Sequence, residues 1–137
     1  MQGSTGVSSI NLPVIARSFV AVTGQLDGER VRVTLWGYAD MRCQNALGDF
    51  LVALDNEATR LRASEVTVDF RALDFMNSGC FKHFVRWLAM AKQESRPYRI
   101  TFLSNPEMRW QKLSLRALTC FAPDLATVRE PPTGMSV

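Results

Sequence analysis

The sequence is short of the residues that metal sites and many catalytic sites need. Its 137 residues contain one histidine, His83, and three cysteines, Cys43, Cys80 and Cys120, which form no Cys-x-x-Cys pair. A closed zinc site takes four such ligands at close spacing, so no metal and no other cofactor is expected. An odd cysteine count also argues against a disulfide framework and favours a reducing, cytoplasmic location.

A long apolar run and a strong charge of one sign are also missing. No segment approaches the apolar length of a membrane span, and the first residues lack a basic region followed by a continuous apolar stretch. We therefore expect neither membrane insertion nor export. The formal net charge is only +3, and the basic residues are scattered along the chain. Nucleic-acid binders concentrate their basic residues on one face or arm, so no nucleic-acid partner is expected.

The length and the 47% hydrophobic content are sufficient for one domain with its own core. Residues 1–16 are rich in Gly, Ser and Thr, which predicts a flexible N-terminal arm. The domain is expected to span residues 17–130, and residues 131–137 are expected to form a mobile tail. The sequence leaves open whether the chain forms a homodimer.

Alternating and helical patterns define the first half of the domain. Residues 18–37 predict two strands joined by a tight turn at Asp27-Gly28, since this dipeptide tolerates positive φ angles. The next segment predicts an amphipathic helix from apolar residues at three- and four-residue intervals. These residues are Leu47, Phe50, Leu51, Leu54, Ala58 and Leu61.

Strands and helices continue to alternate in the second half. Residues 65–70, 98–103 and 125–130 predict strands, and residues 78–92 predict a helix with Phe84 and Leu88 in the core. Asn105-Pro106-Glu107 has the features of a further helix start. The predicted apolar face of that helix contains Trp110, Leu113, Ala117, Leu118 and Phe121. The order ββαβαβαβ predicts an α/β fold, with a mixed sheet and helices packed against it.

A small polar turn, Asn77-Ser78-Gly79-Cys80, connects a predicted strand to a predicted helix. A nucleophile at this turn is disfavoured because the G-x-S-x-G frame is absent and His83 has no evident carboxylate to orient it. A phosphate-binding loop is disfavoured because there is one glycine and no Lys-Ser or Lys-Thr after it. The simplest structural role is helix capping by Asn77 or by Ser78. The nearby Asp69 and Asp74 are expected to be solvated rather than catalytic.

Three segments resemble the STAS domain, which is the fold of bacterial anti-sigma-factor antagonists and of the cytoplasmic part of sulphate transporters. TLWGYAD resembles the family's hydrophobic–Gly–x–x–Asp strand end, and VTVDFRALDFMNSG resembles its strand followed by an Asp-Ser-Ser-Gly turn. YRITFLSNP resembles the family's next strand and loop. The likeness covers about residues 17–130 and implies a STAS-like sheet.

The resemblance also implies a phosphorylation switch, with one departure at the turn. In the family, a partner kinase phosphorylates a serine or threonine at the start of the second helix, and a phosphatase removes the phosphate. Ungapped counting places the family's phosphoacceptor on Gly79, which has no hydroxyl. The resemblance thus leaves two alternatives, namely phosphorylation of Ser78 through a one-residue shift, or partner binding without phosphorylation.

These implications define an expected function. The chain is expected to be a non-enzymatic, protein-binding module of a partner-switching pathway, with a protein partner such as an anti-sigma-factor-like serine kinase or phosphatase. The alternative is a phosphorylation-independent scaffold or localisation protein in a larger complex. In either case, the expected partner-binding surface contains Asp40, Met41, Arg42, Asn77, Ser78, Gly79, Lys82 and Arg86.

Overall fold

The computed structural model describes residues 14–16, 19–27 and 29–131. The described strands are β1 (Val14–Ala16), β2 (Phe19–Asp27), β3 (Arg30–Ala39), β4 (Glu65–Met76), β5 (Arg99–Leu103) and β6 (Ala126–Arg129). The helices are α1 (Gln44–Arg60), α2 (Ser78–Gln93) and α3 (Arg109–Thr119). The strand β1 precedes the predicted ββαβαβαβ order, so the structure contains one strand more than predicted.

The strands form one mixed sheet in the order β1-β2-β3-β4-β5-β6. The first three strands pair antiparallel, whereas β3, β4, β5 and β6 pair parallel. Each parallel pair is connected through one helix, and such crossovers are right-handed in nearly all proteins. Successive crossovers in one direction place all three helices on the same face of the sheet. The predicted α/β fold with a mixed sheet is confirmed.

The core lies between the helices and the face of the sheet on which they pack, which is its inner face. Alternate strand residues such as Val33, Val68 and Phe102 are almost fully buried there. Phe84 and Leu88 of α2 are buried against them, as predicted from the helical spacing. The middle of the core is aromatic and contains Phe70, Phe84, Trp87, Tyr98 and Phe102 in edge-on or tilted contacts. Such contacts stabilise beyond the area that they bury.

A polar network extends from this aromatic cluster to α1. The indole Nε1 of Trp87 donates to the Tyr98 hydroxyl at 2.9 Å, and that hydroxyl donates to Asp55 Oδ1 at 2.6 Å. All three side chains are buried. The network therefore connects α1, α2 and the residue before β5 through hydrogen-bonding groups that are buried from water.

The predicted start and apolar face of α3 were wrong. The helix begins at Arg109, and the Asn105 side chain instead accepts a hydrogen bond from the Glu107 N–H at 2.9 Å within the preceding turn. The buried residues of α3 are Gln111, Leu115 and Leu118. Three residues of the predicted face are exposed, namely Leu113, Ala117 and Phe121. Only Leu118 of the predicted face is fully buried, because α3 packs its polar Gln111 inward.

The strand β4 is longer than predicted and continues from Phe70 to Met76. Its pairing with β5 covers only Glu65 to Asp69, so its second half has β3 on one side alone. Two register shifts against β3, at Thr34/Trp36 and Gly37/Tyr38, interrupt the alternation of this half. These irregularities interrupt the alternation of apolar and polar residues from which a strand is predicted.

The outer face of the sheet contains an ion cluster at Asp69, which corrects the expectation that this carboxylate is solvated. Asp69 is only 5% exposed and accepts hydrogen bonds from Arg71 Nε and Nη2 and from Arg32 Nη2 at 2.8–2.9 Å. Burial would raise its pKa, but the hydrogen bonds and charge of Arg71, aided by Arg32, lower it overall. The other flanking acid, Asp74, is exposed as expected.

Several predictions fall outside the described residues or stay untested. The predicted arm lies in residues 1–16, of which only Val14–Ala16 are described, as β1. Gly28 of the predicted hairpin turn and most of the predicted tail also lie outside them. The domain limits stay a prediction. Within the described part of the chain, no helix combines the length and the apolar character that crossing a membrane requires.

Candidate functional site

The candidate site lies where the central strands β3 and β4 end side by side, at the carboxyl-terminal end of the parallel strands. Ala39 pairs with Met76 at the last position of the two parallel strands, and the Asn77 N–H donates to the Ala39 carbonyl at 2.9 Å. The turn after β3 leads into α1, and the turn after β4 leads directly into α2. The fold thus brings together two of the predicted segments, residues 40–42 and residues 77–79.

The structure decides between the two predicted caps of α2. Asn77 has extended backbone angles, φ −81° and ψ 171°, and its Oδ1 accepts a hydrogen bond from the Cys80 N–H at 2.8 Å. Asn77 is therefore the N-cap. Ser78 is the first residue of the helix, and its side chain is exposed. The hydroxyl of Ser78 is thus not needed for capping.

Gln44, the first residue of α1, is part of the site and was missed by the sequence analysis. Its Oε1 accepts a hydrogen bond from Asn77 Nδ2 at 3.2 Å, which connects the starts of α1 and α2. The same side chain lies against Gly79, where an added Cβ would overlap the Gln44 amide. A polar residue in the first turn of a helix gives no periodic signal, so no pattern could identify it.

The turn after β3 presents one apolar side chain and one ion pair. Met41 is 82% exposed, which is the highest exposure among the large hydrophobic residues described. Arg42 Nη2 lies 2.7 Å from Asp40 Oδ2, and Arg42 Nε also donates to this carboxylate. The hydrogen bonds from the side chain and the backbone of Arg42 lower the pKa of Asp40. Both groups are therefore ionised at neutral pH, and their ion pair stabilises the conformation of the turn.

The two remaining predicted residues, Lys82 and Arg86, are exposed on α2. Arg86 follows Ser78 by eight residues, which corresponds to roughly 12 Å along a helix. It lies beside a shallow groove of about 230 Å³ between α1 and α2. The groove is lined by Asn45, Gly48, Asp49, Leu51, Val52, His83, Arg86 and Met90. The predicted surface therefore extends from the two turns along α2.

His83 and Cys80 do not form a nucleophile and base. The ring of His83 packs on α1, where a Cβ added at Gly48 would come within 2.6 Å of it. Burial and, to a lesser extent, Arg86 lower the pKa of His83. The Cys80 thiol instead faces the Asp40 carbonyl at 3.8 Å, and burial raises its pKa to about 12. The geometry therefore does not support the catalytic alternative that the sequence had already disfavoured.

Comparison with solved structures finds the same fold in two anti-sigma factor antagonists. One, from Mycobacterium paratuberculosis, is similar over 85% of this chain and 88% of its own, with a TM-score of 0.62 and 17% sequence identity. The other, SpoIIAA in its unphosphorylated form, is similar over 80% of this chain and 87% of its own, with a TM-score of 0.54 and 15% identity.

No protein-family model matches the sequence, and no curated protein matches it either. The TM-scores of 0.62 and 0.54, over most of each chain, establish a common fold. Both similarities cover most of this chain. The chain therefore has the STAS fold of the anti-sigma factor antagonists, as its sequence predicted.

Proposed function

We propose that this chain is a non-enzymatic, cytoplasmic protein-binding module of a partner-switching pathway. The observation that carries the proposal is the exposed Ser78 at the first position of α2, next to the turn that exposes Met41. Asn77 performs the capping, so Ser78 is available for a regulatory role without a cost to the helix. The fold shared with anti-sigma factor antagonists supports a protein as the ligand of this surface.

The proposed docking surface combines apolar contact with positive charge. Met41 supplies the apolar contact, and Lys82 and Arg86 supply exposed positive charges along α2. The partner expected on this surface is a serine kinase or phosphatase of the anti-sigma-factor type.

Phosphorylation of Ser78 would act as the switch in this proposal. A phosphoserine adds nearly two negative charges at neutral pH, which the free N–H groups and the dipole of a helix N-terminus accommodate. A partner surface that is apolar or acidic does not accommodate them. Phosphorylation would therefore remove binding while the fold is retained.

A second candidate function rests on Gly79. Ungapped counting along the resemblance places the family's phosphoacceptor on Gly79, and the Gln44 side chain lies against this residue. This arrangement favours a scaffold or localisation protein that binds its partner without phosphorylation. The two candidates share the docking surface and differ only in whether Ser78 responds to a kinase.

The experiment that tests the proposal uses Ser78→Asp and a matched control. Proteins captured from the native cell lysate by the wild-type chain are identified, and their affinities for purified variants are measured. Ser78→Asp should stay folded and bind at least about tenfold more weakly, a difference of about 1.4 kcal/mol. Ser95→Asp, with the same change at an exposed serine beyond the other end of α2, should bind like the wild type.

Two outcomes contradict parts of this proposal. Equal binding by wild type and folded Ser78→Asp removes Ser78 from the switch and leaves the scaffold candidate. Equal weakening by Ser78→Asp and Ser95→Asp means that the effect is one of net charge, and that the docking surface is not at the two turns.

A further inference from the structure

Two buried thiols meet directly beneath the two turns of the candidate site. Cys43 precedes α1, Cys80 lies in the first turn of α2, and both are 0% exposed. Their Sγ atoms donate to the same carbonyl, that of Asp40, at 3.4 Å and 3.8 Å. Because both sulfur atoms lie this near one oxygen atom, the two thiols are close enough to influence each other's pKa. The fold therefore brings close together two cysteines that are far apart in sequence.

Oxidation of the two thiols would leave no backbone group without a hydrogen-bond partner and would remove no helix cap. The Asp40 carbonyl also accepts a hydrogen bond from the Cys43 N–H at 3.2 Å, so it keeps a partner when the thiol protons are lost. Cys43 makes no side-chain capping bond to α1. Cys80 takes part in the cap of α2 only through its backbone N–H.

We propose that Cys43 and Cys80 form a thiol–disulfide couple that hydrogen peroxide oxidises in the folded protein. The Cys43 thiolate attacks one oxygen of the peroxide, the O–O bond breaks, and water leaves once the departing hydroxide takes up a proton. The Cys43 sulfenic acid is then attacked by the Cys80 thiolate, the S–O bond breaks, and a second water leaves. Two thiols and one peroxide thus give one disulfide and two waters.

The environment sets the order and the speed of these steps. Burial raises the pKa of both thiols, and the charge of a Cys43 thiolate raises that of Cys80 further. Cys43 is therefore the residue that ionises first and reacts first. Because the thiolate is the reactive form, the reaction is slow at neutral pH and accelerates as the pH rises. Enclosure of the pair also requires the turns to open before an oxidant enters.

The disulfide would join the turn after β3 to the first turn of α2. These two segments carry Met41 and Ser78, so oxidation would fix their relative positions. The couple is independent of the proposed function, since its chemistry needs no partner and no kinase. Its effect on docking applies only if the docking surface lies at these turns.

The test uses the full chain carrying Cys120→Ser, which removes the exposed thiol. The folded protein is treated with hydrogen peroxide at neutral and at raised pH, then denatured, alkylated with iodoacetamide and analysed by mass spectrometry. Both thiols should disappear together, with loss of two hydrogen atoms and recovery of a cross-linked peptide that contains Cys43 and Cys80. Dithiothreitol should restore both thiols.

Two cysteine-to-serine variants and a measurement of the melting temperature provide the controls. In the same background, Cys43→Ser and Cys80→Ser should form no intramolecular disulfide. The oxidised parent should also melt at a higher temperature than its reduced form, a difference that dithiothreitol removes, because the cross-link restricts the unfolded chain. The proposal is overturned if peroxide at raised pH leaves both thiols open to alkylation, or if it adds oxygen to single cysteines without forming the cross-link.

Discussion

The side-chain amide of Gln111 donates a hydrogen bond to the Phe70 carbonyl at 2.6 Å, and so takes the place of a neighbouring strand. The same Nε2 also donates to the Leu73 carbonyl at 2.9 Å, and Gln111 Oε1 accepts from the Asn105 N–H at 2.8 Å. The two carbonyls lie where β4 continues beyond its pairing with β5, and Asn105 follows the end of β5. One buried side chain therefore satisfies three backbone groups that the end of β5 leaves without strand partners.

Gln111→Leu should destabilise the domain more than its change in volume suggests. It would leave two buried carbonyls and the part-buried Asn105 N–H without partners, and each buried group costs about 1 to 3 kcal/mol. We expect a loss of at least about 2 kcal/mol in the free energy of unfolding, measured by urea denaturation. Leu113→Ala on the same helix is the control and should change stability by less than about 0.5 kcal/mol, because Leu113 is exposed. A larger loss of stability from Leu113→Ala than from Gln111→Leu would instead support the apolar face of α3 that was predicted from the sequence.

The cap of α2 can be tested separately from the switch. Asn77→Ala should cost about 1 kcal/mol of stability, because it removes the bond to the Cys80 N–H and the link to Gln44. Ser78→Ala should stay within about 0.5 kcal/mol of the wild type. Thermal or urea unfolding of both variants measures the difference. A larger loss from Ser78→Ala than from Asn77→Ala would contradict the assigned cap.

Tyr98→Phe should destabilise the core without creating a cavity. It removes one oxygen atom and leaves Trp87 Nε1 and Asp55 Oδ1 without the hydroxyl that connects them. A loss of about 1 to 3 kcal/mol is expected from these unpaired buried groups. Tyr38→Phe is the matched control, since Tyr38 is 51% exposed, and its stability should be nearly that of the wild type. Equal stabilities of the two variants would mean that water reaches the network.

Asp69 predicts a loss of stability in acid. Its pKa in the folded protein lies below its usual value of 3.8, because the hydrogen bonds from Arg71 and Arg32 outweigh the effect of burial. The stabilisation is therefore present above pH 3.8 and is lost as the pH falls through the folded-state pKa. Unfolding curves between neutral pH and pH 3 should show this decrease, and Asp69→Asn should show a shallower one. Parallel curves for the two proteins would assign acid unfolding to other carboxylates.

Partner binding should depend only modestly on salt. Arg42 is already paired with Asp40, and the other positive charges of the docking surface, on Lys82 and Arg86, are few. Exposed charges are screened within about 8 Å at physiological ionic strength, so a broad basic interface would lose affinity steeply. Affinities measured at low and moderate salt should differ by less than about tenfold, roughly 1.4 kcal/mol. A drop of several orders of magnitude would instead indicate a polyanionic partner.

The parts of the fold that the sequence predicted are those with a regular apolar period. In α2, Phe84 and Leu88 recur at helical spacing, and in β3 Val31, Val33 and Leu35 alternate, so the buried faces were evident. The strand β1 was missed because three residues are too short for a period. The second half of β4 was missed because two irregularities against β3 break its alternation.

In α3 and in the candidate site, the sequence analysis missed polar side chains that make structural hydrogen bonds. Gln111 occupies a core position where a pattern expects an apolar residue, so the predicted face shifted to Leu113 and Ala117. Gln44 acts through one hydrogen bond to a residue 33 positions away. Contacts of this kind depend on the tertiary structure, and no local period reports them.

The contact between Gln44 and Gly79 also restricts the mutational routes open to this protein. A hydroxyl residue at position 79 would require the Gln44 amide to swing aside and give up its bond to Asn77. Gly79→Ser and Gln44→Ala should therefore be epistatic, with the serine costing less after Gln44 has been truncated. A lineage that gained a phosphoacceptor at position 79 would pass most easily through a change at position 44.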